Sequence, residues 1–154
     1  MTTDPDCLRT EEILKINQEL ARRDFPYTGS DEYPVRKEKI EHLVRAVPSR
    51  SPIDVAAYYL KNLPLLQPFP DGNHRTALIA VEIFLERKGY RFDYTEEEAN
   101  QLRNQMLSLQ FKLYGTYEEL PEAVTEEPDN ELFRLCRDFI KKHAIRGRPK
   151  TQSK

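Results

Sequence analysis

The stretch Gln67-Pro68-Phe69-Pro70-Asp71-Gly72-Asn73-His74-Arg75-Thr76-Ala77 joins two helical patterns and decides how this chain folds. Two prolines stiffen its first half, and Asp71-Gly72-Asn73 favours a tight turn, because Gly72 accepts backbone conformations that a Cβ would forbid. From Asn73 to Lys88 the pattern is helical, with Gly89 as the expected closing residue. Every residue from 77 to 85 except Glu82 is apolar, so this helix belongs in the middle of a bundle. The turn therefore precedes a buried helix, whose first N–H groups and positive dipole end attract anions. Arg75, one turn in, can fork onto a phosphate, and Asn73 can orient the turn or donate to a phosphate oxygen. Asp71 is the nearby carboxylate that can hold a Mg²⁺ retaining most of its waters. The same residues also read as a plain helix N-cap with a salt-bridging arginine, and local physics alone does not choose between the two.

Working outward, residues 10–23 form an expected helix with Thr10 as N-cap and a stripe of Ile13, Leu14, Ile16 and Leu20. Turn formers follow in Asp24-Phe25-Pro26-Tyr27-Thr28-Gly29-Ser30, and with Pro34 they predict a loop or short hairpin. Residues 36–47 read as a second helix stopped by Pro48. Ser51-Pro52-Ile53-Asp54 starts a third, expected to run to about Asn62 and end before Pro64. Thr95 and Glu98 make a capping box for a helix reaching about Leu113. The last helix, residues 129–143, carries Leu132, Leu135, Phe139 and Ile140 on one face. Residues 121–128 are a short acidic connector, and residues 144–154 are a basic tail expected to be disordered. There is no repeat at solenoid periods. The expectation is one all-α domain over residues 1–143, a helical bundle around a buried central helix, with residues 144–154 as its tail.

Composition narrows the function classes. A chain of 154 residues can bury a substantial core, and its formal net charge of −2 argues against whole-surface binding of nucleic acid or anionic lipid. No stretch approaches the roughly 18 consecutive apolar residues of a membrane span, and the polar, acidic residues 1–9 do not read as a secretory signal. Cys7 and Cys136 stand far apart without metal-type spacing, which fits a reducing cytoplasm and gives zinc no support.

Residues 67–77 resemble the signature of the Fic/Doc family, His-Pro-Phe-x-Asp-Gly-Asn-x-Arg-Thr in its common form, through Pro68, Phe69, Asp71, Gly72, Asn73, Arg75 and Thr76. Glu11-Glu12-Ile13-Leu14-Lys15-Ile16-Asn17 is similar to the opening helix of the Doc-like branch. Residues 81–90, ending Phe84-Leu85-Glu86-Arg87-Lys88-Gly89-Tyr90, are similar to that branch's core helix. The resemblance, spread over residues 10–143, implies an all-helical fold that transfers AMP, or in the Doc-type branch the γ-phosphate, from a nucleotide to a protein hydroxyl. It implies Mg²⁺ and a nucleoside triphosphate, ATP in the first instance. Phe69 would anchor the loop, Asp71 would hold the metal, Gly72 and Asn73 would form the anion hole, and Arg75 would clamp phosphate. Residues 26–35 occupy the place of the family's flap, which pairs with the target protein. Implied partners are a protein with a Ser, Thr or Tyr hydroxyl and an antitoxin-like inhibitor.

Gln67 departs from the pattern, standing where the family has its catalytic histidine. An amide accepts a hydrogen bond but cannot carry away a proton near neutral pH. Loss of a general base costs about 10²–10⁴ in rate, so transfer is expected to be impaired and nucleotide binding to survive. The alternative is a binding module without catalysis. His74 stands where AMP-transferring members have glycine and Doc-type members lysine; protonated, it would contact phosphate as a weaker, pH-dependent cation. Thr76-Ala77-Leu78 follows the Doc-type pattern, AMP-transferring members often placing an arginine at Leu78. His42 and His143 are expected to be solvated or capping. Thr28 and Glu32 match the spacing of an inhibitory Ser/Thr-x-x-x-Glu helix, within a loop where chance explains the match. Arg146-Gly147-Arg148-Pro149-Lys150 resembles an AT-hook core, although a solvated basic terminus explains it more simply than DNA binding.

Overall fold

The computed structural model describes residues 4–24, 35–116, 118–127 and 129–147. The expected flap at 26–35, Val35 apart, lies outside the described residues, as do Thr28, Glu32 and residues 148–154 of the tail.

The first helix, α1 (Thr10–Asp24), buries Ile13, Ile16 and Leu20 as its apolar stripe requires. α2 (Lys37–Arg45) buries Ile40 and Leu43. α3 (Pro52–Leu66) starts where the Ser51 hydroxyl accepts the Asp54 N–H at 3.4 Å. α4 (Asn73–Arg87) follows the turn and buries Thr76, Ala77, Leu78, Ala80, Val81, Phe84 and Leu85. Thr95 and Glu98 complete the expected capping box of α5 (Glu96–Tyr114), which closes at Gly115 in the left-handed conformation with φ 72°. α6 (Glu131–His143) begins at Asn130, whose side chain accepts the Phe133 N–H at 3.0 Å. The fold is all-α, with a small two-stranded ribbon as its one sheet among the described residues. No helix is long and apolar enough to cross a membrane among the described residues.

Two expectations about the centre need adjustment. The third helix was to end before Pro64, yet it runs through the proline to Leu66. Pro64 withholds one helical hydrogen bond at a cost of about 3 kcal/mol. Leu65 and Leu66 are both 1 % exposed, and burying two leucines returns roughly 3–6 kcal/mol. The centre is also a pair of helices, since α3 packs between α4 and α6 and is buried from Val55 to Leu63. Tyr59 stacks edge-on against Phe84 with ring centroids 5.7 Å apart, joining α3 to α4.

The ribbon pairs β1 (Tyr90–Phe92) antiparallel with β2 (Ala144–Arg146), in the register Tyr90 to Arg146 and Phe92 to Ala144. Part of the expected tail is therefore ordered: the Gly147 N–H donates to the Gly89 carbonyl at 2.9 Å. Strands of three residues are too short to show a period-2 pattern. The acidic connector contains a 3₁₀ turn, Glu122–Glu126, packed against α2 and α3.

Candidate functional site

The turn between α3 and α4 is built almost entirely by its own residues. Gln67 ends α3 in the left-handed conformation, φ 45°, and its N–H donates to the Leu63 carbonyl at 3.2 Å. Phe69 drives the chain back into the core and is 1 % exposed. The Asn73 side chain then closes the loop: Nδ2 donates to the Phe69 carbonyl at 3.0 Å, and Oδ1 accepts the Phe69 N–H at 3.1 Å. Asn73 thus orients the turn, with its amide turned onto Phe69. Gly72 caps α4 at φ 77°, a left-handed value for which glycine is suited. The Gly72 N–H donates to Asp71 Oδ1 at 2.7 Å.

The rest of the chain fastens this turn at two points. Asn17 on α1 donates through Nδ2 to the Asp71 carbonyl at 2.9 Å and to Thr76 Oγ1 at 3.0 Å. The Arg36 N–H donates to the Pro68 carbonyl at 2.7 Å. Asn17 is fully buried, so its amide is a fixed strut and not a surface group.

Gln67, Asp71, Gly72, Asn73, His74 and Arg75 line one cleft of about 760 Å³. Its opposite wall is a stripe of α5, including Glu96, Ala99, Asn100, Arg103, Met106 and Gln110, with helical spacing throughout. Arg23, Lys61, Arg75 and Arg103 line it against the carboxylates Asp71 and Glu96, so the cleft is net positive and suits an anion. Tyr94 also lines it; burial pushes the phenol up to about 12, and it remains a hydrogen-bond donor at neutral pH. Asp71 and Arg75 are exposed at the cleft, while Thr76 behind them is fully buried.

His74 does not behave as the expected cation. Burial first, and the nearby Arg103 second, lower it to about 4 against a hydrogen bond to the Ala99 backbone. Its Nε2 is buried without a partner. The ring is therefore neutral at physiological pH and ties the start of α4 to α5. Neither of the other histidines is simply solvated. His42 Nε2 lies 2.9 Å from Thr125 Oγ1, and buried His143 places Nδ1 3.0 Å from the Asp93 carbonyl. Arg146, in the AT-hook-like run, stacks its guanidinium 4.9 Å from the Tyr90 ring centroid.

Several cleft residues were not singled out from sequence. Lys61 had a visible signal, being the one charged residue between positions 55 and 66. Arg103 in the cleft wall and Asn17, buried behind the turn, had none, because a polar residue on an amphipathic helix reads as solvent-facing until the packing is known.

No group of three or more His, Cys, Asp or Glu side chains is arranged to hold a metal among the described residues. That is compatible with Mg²⁺ held by the single carboxylate of Asp71 together with a ligand's phosphate oxygens and water.

A family model described as the Fic/DOC family matches residues 7–85, just over half of the chain. No curated protein and no solved structure matches it.

Proposed function

The chain belongs to the Fic/DOC family, and on that premise we propose that its cleft binds the phosphates of a nucleoside triphosphate, ATP in the first instance. The family activity would be transfer of AMP or a phosphoryl group to a Ser, Thr or Tyr hydroxyl of a target protein, impaired here by Gln67. The observation that carries this reading is the self-locked turn at the head of buried α4, with Gly72, Arg75 and Asp71 grouped on a net-positive cleft. Phosphate oxygens would meet the first N–H groups of α4 and the Arg75 fork. Asp71 would hold Mg²⁺, which when bound neutralises phosphate charge and orients the phosphate chain. Gln67 would accept a hydrogen bond from the attacking hydroxyl without removing its proton. His74 would shape the cleft as a neutral wall.

A transfer assay with ATP labelled at the α- or γ-phosphate, in lysate, tests this reading. The Gln67→His variant is expected to label target protein about 10²–10⁴ times faster than the unmodified chain. The label that transfers distinguishes AMP from phosphoryl chemistry. Equal labelling by both forms would place the base elsewhere, and an unchanged ATP affinity in Arg75→Ala would sink the site itself. A second reading is favoured by Gln67 alone: the cleft binds nucleotide or an antitoxin-like partner without turnover. Silence from both forms of the protein would select it.

A further inference from the structure

We propose that the wall facing the phosphate turn holds the outer phosphates of a nucleoside polyphosphate, with Arg103 as their cation and the Tyr94 hydroxyl as a second donor. This rests on the nucleotide reading of the cleft and gives its second wall a task of its own.

Arg103 lies on α5 one turn beyond Ala99, whose backbone bonds His74. Side chains on a helix lean toward its N-terminus, so one at position 103 reaches back over the turn that carries Ala99. That direction brings the guanidinium toward His74, where its positive charge opposes protonation of the ring. Arg103 and His74 both line the cleft, and Arg103 is exposed. Among the described residues Arg103 makes no ion pair and no hydrogen bond, although Glu96 of the same helix shares the cleft.

Tyr94 approaches from the segment just before α5. Its ring is wedged against Phe92 and Phe139, with centroids 4.9 and 6.0 Å away. The phenol feels the charges of Glu82 and Arg75, which share one face of α4. Among the described residues its hydroxyl has no hydrogen-bond partner. Two unused donors on one wall thus look toward consecutive residues of α4, His74 and Arg75.

A phosphate seated on the first N–H groups of α4 has its oxygens taken up by those groups and by the Arg75 fork. A guanidinium on the facing helix then needs a further anionic group, and each added phosphate of a polyphosphate chain supplies one. Arg75 and Arg103 on facing walls also repel each other, and an anion between them relieves that repulsion. The cleft, about 760 Å³, has the volume for a whole nucleotide. The turn selects for phosphate, and the wall selects for more than one.

Calorimetric titration of the full chain with ATP and inorganic tripolyphosphate, and competition of AMP against ATP, test this with Mg²⁺ present throughout. Arg103→Met should lose roughly tenfold in affinity for ATP and tripolyphosphate, and Arg103→Lys should recover part of that loss. AMP should lose less than about twofold in the same variant, since its single phosphate stays at the turn. Tyr94→Phe should cost ATP about threefold, one neutral donor being lost. Arg75→Ala should weaken all three ligands, and by more. In the free protein, Arg103→Met should also raise the proton affinity of His74 in an NMR titration. An unchanged ATP affinity in Arg103→Met, an equal loss for AMP and ATP, or an unmoved His74 would each overturn the proposal and leave the nucleotide site standing. Failure of the unmodified chain to bind any of the three would overturn both.

Discussion

The half of the chain matched by the family model and the half beyond it contribute to the cleft in different ways. Residues 7–85 build the turn, and nearly every polar group there is locked: Asn73 onto Phe69, Gly72 onto Asp71, Asn17 onto Asp71 and Thr76. The C-terminal half supplies the facing wall through α5, fastened to the turn by the bond between His74 and the Ala99 backbone. The turn's own bonds, Asn73 onto Phe69 and Gly72 onto Asp71, span a few residues, and those from Asn17 and Arg36 reach it from elsewhere in the chain. The wall depends on long-range packing, so it is the side on which cleft width can vary.

If that contrast is right, Phe69→Ala should be the most damaging single change. Emptying a fully buried aromatic site costs about 3–5 kcal/mol, and urea unfolding would show it. A loss under 1 kcal/mol would mean the loop is held by its hydrogen bonds alone.

The His74 tether should produce the next effect, visible as pH dependence. The folded ring has its proton affinity lowered to about 4, while the unfolded ring binds a proton near 6.5. Between these values the unfolded state binds more protons, so stability must fall as pH drops from about 6.5 to 4 and level off below. The full effect is at most about 3 kcal/mol. Comparing the wild type with His74→Gln across this window isolates it, since the carboxylates that also titrate there are common to both. Parallel profiles would show that the ring is solvated.

Asn17→Ala removes the strut between α1 and the turn. Unsatisfied buried partners cost about 1–3 kcal/mol, and ATP affinity should weaken with it in a calorimetric titration. Unchanged stability would make the turn self-sufficient. Smallest of the four, Thr95→Ala deletes the capping box of α5 for about 1 kcal/mol. It should leave ATP affinity within twofold, and a larger loss would show that the wall is as important to the phosphates as the turn.

Local chemistry explains why much of this was legible in the sequence. Ser51, Thr95 with Glu98, and the apolar face of α4 announce helix starts and a buried helix through contacts only a few residues apart. Gly72 and Asn73 signal a tight turn by the same short-range logic. The continuation of α3 through Pro64 was hidden, because a local rule about proline was outweighed by the burial of Leu65 and Leu66. The β1–β2 ribbon was hidden too, joining segments more than fifty residues apart with strands of three residues each.

By itself the sequence determined the all-helical class and the position of the turn, both of which depend on residue type and short spacing. Only the tertiary structure decided that His74 is neutral and that Lys61 is buried with one long hydrogen bond. Charge state and hydrogen-bond satisfaction are set by which distant helices close around a side chain, and α5 and α6 reach these two residues from across the fold.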